Sequence, residues 1–121
     1  MLLSILKSKI HRAIVTEADI NYEGSITMDE DLMKAAGLYV NEMVHIWDAT
    51  SGHRLYTYVM TPAKSGSGTV CINGAAAHLI KKGDIVIITS FVNMTVEELK
   101  THKPIKVLVD EKNHIKKIKR E

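Results

Sequence analysis

The chain has 121 residues, enough for one domain and too few for two. Hydrophobic residues make up 45 % and charged residues 25 %, the balance of a globular protein rather than of a disordered chain. No apolar run reaches the roughly 18 residues of a membrane-spanning helix. The net charge of +2 is concentrated in Lys112, Lys116, Lys117, Lys119 and Arg120, behind a nearly neutral body, which argues against a nucleic-acid-binding face.

The opening segment is apolar but carries Lys7 and Lys9 and lacks a small-residue cleavage site, so it reads as structure rather than as a secretory signal. β-Branched runs broken by turn signals predict strands over Ile5 to Val15, Met43 to Ala49, Arg54 to Thr61, Thr69 to Ile72, Asp84 to Val92, Ile105 to Asp110 and Ile115 to Ile118. The run Ile85-Val86-Ile87-Ile88 is apolar on both faces and predicts a strand deep inside a closed sheet. Between the strands, Asp29-Glu30-Asp31 opens a short helix that Gly37 closes. Ala75 to Ile80 is helix-prone, and Thr95-Val96-Glu97-Glu98 matches a capping box. Ser65-Gly66-Ser67-Gly68 predicts a flexible surface loop. Six or seven strands with short helices indicate a mainly β fold, a small barrel in one domain over residues 1–121.

Most chemical motifs are absent. The six histidines show no metal-ligand spacing, and no phosphate-binding glycine motif occurs. Cys71, the one cysteine, cannot form an internal disulfide, which fits a reducing cytoplasm, and it reads as a small buried hydrophobe. Two Gly-Ser pairs differ in setting. Gly66-Ser67 lies among small residues free to relax, whereas Gly24-Ser25 sits between a β-rich segment and an acidic helix start. A serine hydroxyl can attack the carbonyl before it and turn amide into ester; that requires unusual backbone geometry and an open carbonyl, which glycine supplies. A turn glycine followed by an ordinary serine is the competing reading of the dipeptide.

The segments Lys9-Ile10-His11-Arg12, Thr16-Glu17-Ala18-Asp19, Tyr22-Glu23-Gly24-Ser25 and Ala35-Ala36-Gly37-Leu38 are followed in order by Asn41-Glu42, Ile46-Trp47, Gly52 with Arg54, and Thr57-Tyr58. Next come Asn73-Gly74-Ala75-Ala76-Ala77-His78, Gly83 to Ile88 and Ser90-Phe91-Val92. In this succession the chain resembles the pyruvoyl-dependent aspartate 1-decarboxylases, over roughly residues 3 to 100. The resemblance implies a six-stranded double-psi β-barrel assembled as a homotetramer. It also implies self-cleavage between Gly24 and Ser25, giving fragments 1–24 and 25–121, with Ser25 converted to a covalent pyruvoyl group. That group would bind the amine of L-aspartate as a Schiff base, with neither pyridoxal phosphate nor a metal, and release β-alanine and CO2 for pantothenate and coenzyme A synthesis.

The same resemblance assigns Tyr58 as proton donor, Thr57 to cleavage and to the substrate site, and Lys9, Arg54, Asn73, Gly74, Ala75 and Ala76 to substrate binding. His11, Tyr22 and Trp47 are candidates for lining the pocket. Arg54 offers a bidentate grip and is expected on the side-chain carboxylate that survives the reaction, because pinning the departing one would stabilise the ground state. Asn73 is expected as a helix N-cap or as a neighbour of the reacting group. On a regular strand Arg54, Tyr56 and Tyr58 share one face and Thr57 takes the other, so a bulge or a site between subunits is needed to bring Thr57 in. Whether a maturation factor assists cleavage is open. Two alternatives stand: a pyruvoyl decarboxylase for another amino acid, and a non-enzymatic barrel that binds nucleic acid or protein through its basic tail.

Overall fold

A computed structural model describes residues 1–121. Nine strands form, in chain order: β1 (Leu3–Ile14), β2 (Glu17–Asp19), β3 (Ile26–Met28), β4 (Met43–Asp48), β5 (Arg54–Tyr58), β6 (Val70–Asn73), β7 (Ile85–Met94), β8 (Ile105–Val109) and β9 (Ile115–Arg120). The protein is mainly β. Its strands make a six-stranded sheet of order β5-β4-β7-β1-β8-β9 and a three-stranded sheet of order β2-β6-β3. Most pairings are antiparallel; β1 runs parallel to β8, and β2 parallel to β6. Two isolated parallel bridges, Ile26 with Val59 and Asp29 with Ala63, tie the stretch that follows β5 to β3 and to the residue just beyond it.

One hydrophobic core fills the space between them. Ile10, Ile46, Ile88 and Val107 form a buried row across four strands, and Ile26, Ile72 and Val70 face it from the smaller sheet. The next row, one residue along, points the opposite way, as the pleat requires. It runs Tyr56, His45, Thr89, Lys9, Lys106 across β5, β4, β7, β1 and β8. Only one face of β7 therefore reaches the core. Val86 and Ile88 are buried, whereas Ile85 and Ile87 are half-buried, so the apolar run alternates in burial instead of lying deep on both faces.

The predicted helices form. Asp29 caps α1 (Glu30–Ala36) by accepting from the Asp31 N–H, and Gly37 ends it at φ +67°. Thr95 and Glu98 close a capping box on α2 (Val96–Leu99), and Gly74–His78 is a 3-10 helix. Two further expectations are corrected. β2 and β3 add to the predicted strands; at three residues each they are too short to show a period. The loop Ser65 to Gly68 is anchored rather than free, because the N–H groups of Gly66 and Gly68 donate to the buried Asp29 carboxylate at 3.1 and 2.8 Å.

Candidate active site

Ser25 begins the turn into β3 and is only 3 % exposed. Three backbone and side-chain contacts hold it. Its Oγ accepts from the Tyr58 N–H at 3.3 Å, its carbonyl accepts from the Asn73 N–H at 2.7 Å, and its own N–H donates to the Met60 sulfur at 3.2 Å. Gly24 sits at φ +100°, where side chains are strained, and a Cβ there would lie 2.0 Å from Met60 Sδ. The Gly24 carbonyl faces Gly74, where a Cβ would come within 2.9 Å of that oxygen. Two glycines thus let the chain pass between Met60 and the start of the 3-10 helix with its 24–25 peptide exposed to one cavity.

That cavity, about 320 Å³, is lined by Gly24, Ser25, Thr57, Tyr58, Asn73, Ala75 and Ala76, together with Leu55, Tyr56 and Leu79. The conflict over Thr57 disappears without a bulge, since β5 pairs with β4 in unbroken register. β5 is the edge of its sheet, and the cavity wraps around that edge, touching alternate residues from both sides.

The remaining candidates lie elsewhere on the chain. Arg54 stacks over Trp47 at 4.8 Å, and both line a second depression with Met43, His45, Tyr56 and Phe91 on the outward face of the large sheet. Lys9 is half-buried on that same face, in the row that carries His45 and Tyr56. His11 lies in a separate hollow with Arg12 and Lys116. Burial, then the charges of Lys9 and Arg12, hold its pKa below the ordinary histidine value, and its buried Nδ1 has no partner. Tyr22 is exposed beside a further cavity with Glu17, Asp19, Thr27 and Cys71. Within one chain, then, the residues around Ser25 come together, and Lys9, His11, Trp47 and Arg54 do not join them.

The family model for aspartate decarboxylase matches residues 1–116. The chain belongs to the aspartate decarboxylase family. It is 55 % identical over 115 residues to the aspartate 1-decarboxylase of Caldicellulosiruptor bescii, covering 95 % of this chain and 89 % of that relative. It is 54 % identical over 118 residues to the aspartate 1-decarboxylase of Neisseria meningitidis, covering 98 % and 92 %. The similarity to the family includes the stretch beyond residue 100 up to 116, past the motifs read from the sequence.

Three features of the site were not legible from those motifs. Met60 covers the Gly24-Ser25 peptide, a role no spacing advertises. Asn73 stands at the N-cap position of the 3-10 helix but makes no capping bond; its amide turns inward, donating to Thr27 Oγ1 at 3.2 Å. Cys71 is half-buried rather than an inert core residue, and its thiol donates to Asn73 Oδ1 at 3.2 Å. Just before β4, the Glu42 carboxylate receives Lys7 Nζ at 2.8 Å, the Tyr39 N–H at 3.0 Å and the Ser90 hydroxyl. Burial alone would raise its pKa; those hydrogen bonds and the Lys7 charge outweigh it and hold the carboxyl below its usual value. The Glu42 carbonyl accepts from the Val59 N–H, so this cluster pins the strand end that carries Tyr58.

Proposed function

We propose that this protein decarboxylates L-aspartate to β-alanine and CO2 after cutting its own chain between Gly24 and Ser25. The observation that carries the reading is the convergence of Gly24, Ser25, Thr57, Tyr58, Asn73, Ala75 and Ala76 on one cavity in a chain of the aspartate decarboxylase family. Ser25 Oγ attacks the Gly24 carbonyl carbon, the C–N bond breaks, and an ester replaces the amide. Elimination leaves Gly24 as a carboxylate and residue 25 as dehydroalanine; water then displaces ammonia and leaves a pyruvoyl group on the fragment 25–121. The surroundings suit this change: the carbonyl is flanked by a glycine on either side, and the Ser25 hydroxyl already lies against the edge of β5.

The pyruvoyl group supplies a ketone for the substrate amine and a conjugated amide that takes up the electrons left by departing CO2. The chain's own residues do the rest. Tyr58 presents its phenol to the cavity as the proton donor to the product carbon. Thr57, Asn73 and the Gly74-Ala75-Ala76 backbone hold the substrate beside Ser25, and Thr57 also aids cleavage. Arg54 grips the side-chain carboxylate, with Lys9 adding a second positive charge.

Arg54, Lys9, Trp47 and His11 reach this cavity only from another copy of the chain, as a homotetramer of closed six-stranded double-psi barrels provides. The outward sheet face supports that arrangement: Met43, Tyr56, Tyr58 and Phe91 are 57, 71, 45 and 40 % exposed, a broad apolar surface that a second copy covers. The product feeds pantothenate and coenzyme A synthesis in the cytoplasm; no helix is long and apolar enough to cross a membrane. Denaturing mass spectrometry is the test, combined with detection of β-alanine from aspartate. Two fragments, the larger blocked by pyruvoyl, are expected; one intact mass after long incubation with cell extract, and no β-alanine, would overturn the reading.

A further inference from the structure

We propose that the Cys71 thiol is a positioning residue for self-cleavage, acting through the amide of Asn73 on the Met60 sulfur that covers the scissile peptide. The inference rests on the cleavage reading above and names a device that serves it.

Asn73 forms the wall between two cavities, one holding Gly24, Ser25 and Tyr58, the other holding Glu17, Asp19, Tyr22 and Cys71. Its side chain is buried and makes no helix cap, so its neighbours alone decide which way the amide points. Thr27 and Cys71 stand opposite one another in the β3–β6 ladder, and Asn73 follows two residues later on the same face. The amide nitrogen donates to Thr27 Oγ1 at 3.2 Å and reaches Met60 Sδ at 3.8 Å; the amide oxygen receives the Cys71 S–H at 3.2 Å. The Thr27 hydroxyl is likewise 3.8 Å from Met60 Sδ. Three donors therefore surround that sulfur: Thr27, Asn73 and the Ser25 N–H.

Reversing the Asn73 amide would place its oxygen against the sulfur, lone pair against lone pair, and push the thioether from its seat over Gly24. The thiol prevents this because it gives the oxygen a donor on the far side. Burial, then the charges of Glu17 and Asp19, raise the Cys71 pKa and keep that proton in place. A thioether is also a weak acceptor, so it seats the Ser25 N–H while contributing little to the amide resonance that cleavage must break.

Cys71→Ser and Cys71→Ala separate this role from packing. Both remove similar volume, but only serine keeps a donor. With wild type cut as proposed, Cys71→Ser should cleave within about twofold of wild type and Cys71→Ala about tenfold more slowly, the scale of an unsatisfied buried acceptor. Thermal unfolding of both, each in a Ser25→Ala background, controls for folding. As a second measurement, methyl methanethiosulfonate converts the chain's single thiol to a methyl disulfide, and it should slow wild-type cleavage while leaving Cys71→Ser unaffected. Equal cleavage rates for the serine and alanine variants, or an undiminished rate after complete thiol modification, would overturn the inference. An uncut wild type would instead overturn the cleavage reading itself.

Discussion

Gly24→Ala tests the geometry of the Gly24-Ser25 peptide most directly. Two costs arise in the intact chain. An alanine at φ +100° is strained by about 1–2 kcal/mol, and its Cβ would stand 2.0 Å from Met60 Sδ and 2.4 Å from Cε. Because the obstruction is the far end of a flexible side chain, Met60 can swing aside, but it then gives up the Ser25 N–H and its packing, at about 1–3 kcal/mol. Gly24→Ala should thus destabilise the intact chain by about 2–5 kcal/mol in total. Met60→Ala removes the obstruction and alone costs about 1–2 kcal/mol, since the residue is half-buried. The double variant should therefore be more stable than the sum of the singles predicts, by about 1–3 kcal/mol, leaving the backbone strain as the residue of the Gly24 effect. Urea unfolding followed by circular dichroism, at one fixed protein concentration and in a Ser25→Ala background, measures all four corners of the cycle. Additivity within about 0.5 kcal/mol would refute the contact between Met60 and Gly24.

Tyr58→Phe keeps the ring and removes only the hydroxyl, so it should be cut normally yet lose turnover by about two to four orders of magnitude; full activity in a cut variant would remove Tyr58 from the mechanism. Arg54→Ala, whose side chain lies on Trp47 away from Ser25, should cleave at the wild-type rate but lose aspartate turnover, whereas wild-type kcat/KM would mark Arg54 as a surface charge. Glu42 carries a depressed pKa in the folded chain, so its contribution is present above the ordinary glutamate value and is lost as pH falls through the folded one. Unfolding midpoints measured from neutral to acidic pH should decline less steeply for Glu42→Gln than for wild type, and parallel declines would contradict the assignment.

The sequence was legible where one residue type has one job. Asp29, Gly37 and the Thr95–Glu98 pair announced their helix ends because a cap needs a short acceptor or a positive φ at one position. The seven predicted strands all form, with ends shifted by a few residues. β2 and β3 escaped because their pairing with β6 is fixed by partners far along the chain and not by any local period. In the site, Gly24, Ser25, Thr57, Tyr58 and Asn73 could be named from motifs. That Thr57 and Tyr58 share a cavity depends on β5 being a sheet edge, and that Met60 and Cys71 both contact Asn73 depends on cross-strand pairing. Both are properties of pairing, to which a reading of neighbouring residues is blind.

The position of β1 has a consequence for the life of the molecule. A cut after Gly24 releases β1 and β2 from the rest of the chain, yet β1 is an inner strand, hydrogen-bonded to β7 along one side and to β8 along the other. The fragment would stay in place, held by two ladders and by the burial of Ile10 and Ala13. Once unfolded, however, it would diffuse away, and recovery would become a meeting of two molecules rather than the closing of one. Forming the fold of the intact chain is an event within one molecule; forming that of the cut one would depend on the concentration of its fragments as well. Self-cleavage at this place would therefore require folding to come first, and an enzyme matured in this way would persist through slow unfolding rather than through its ability to fold again.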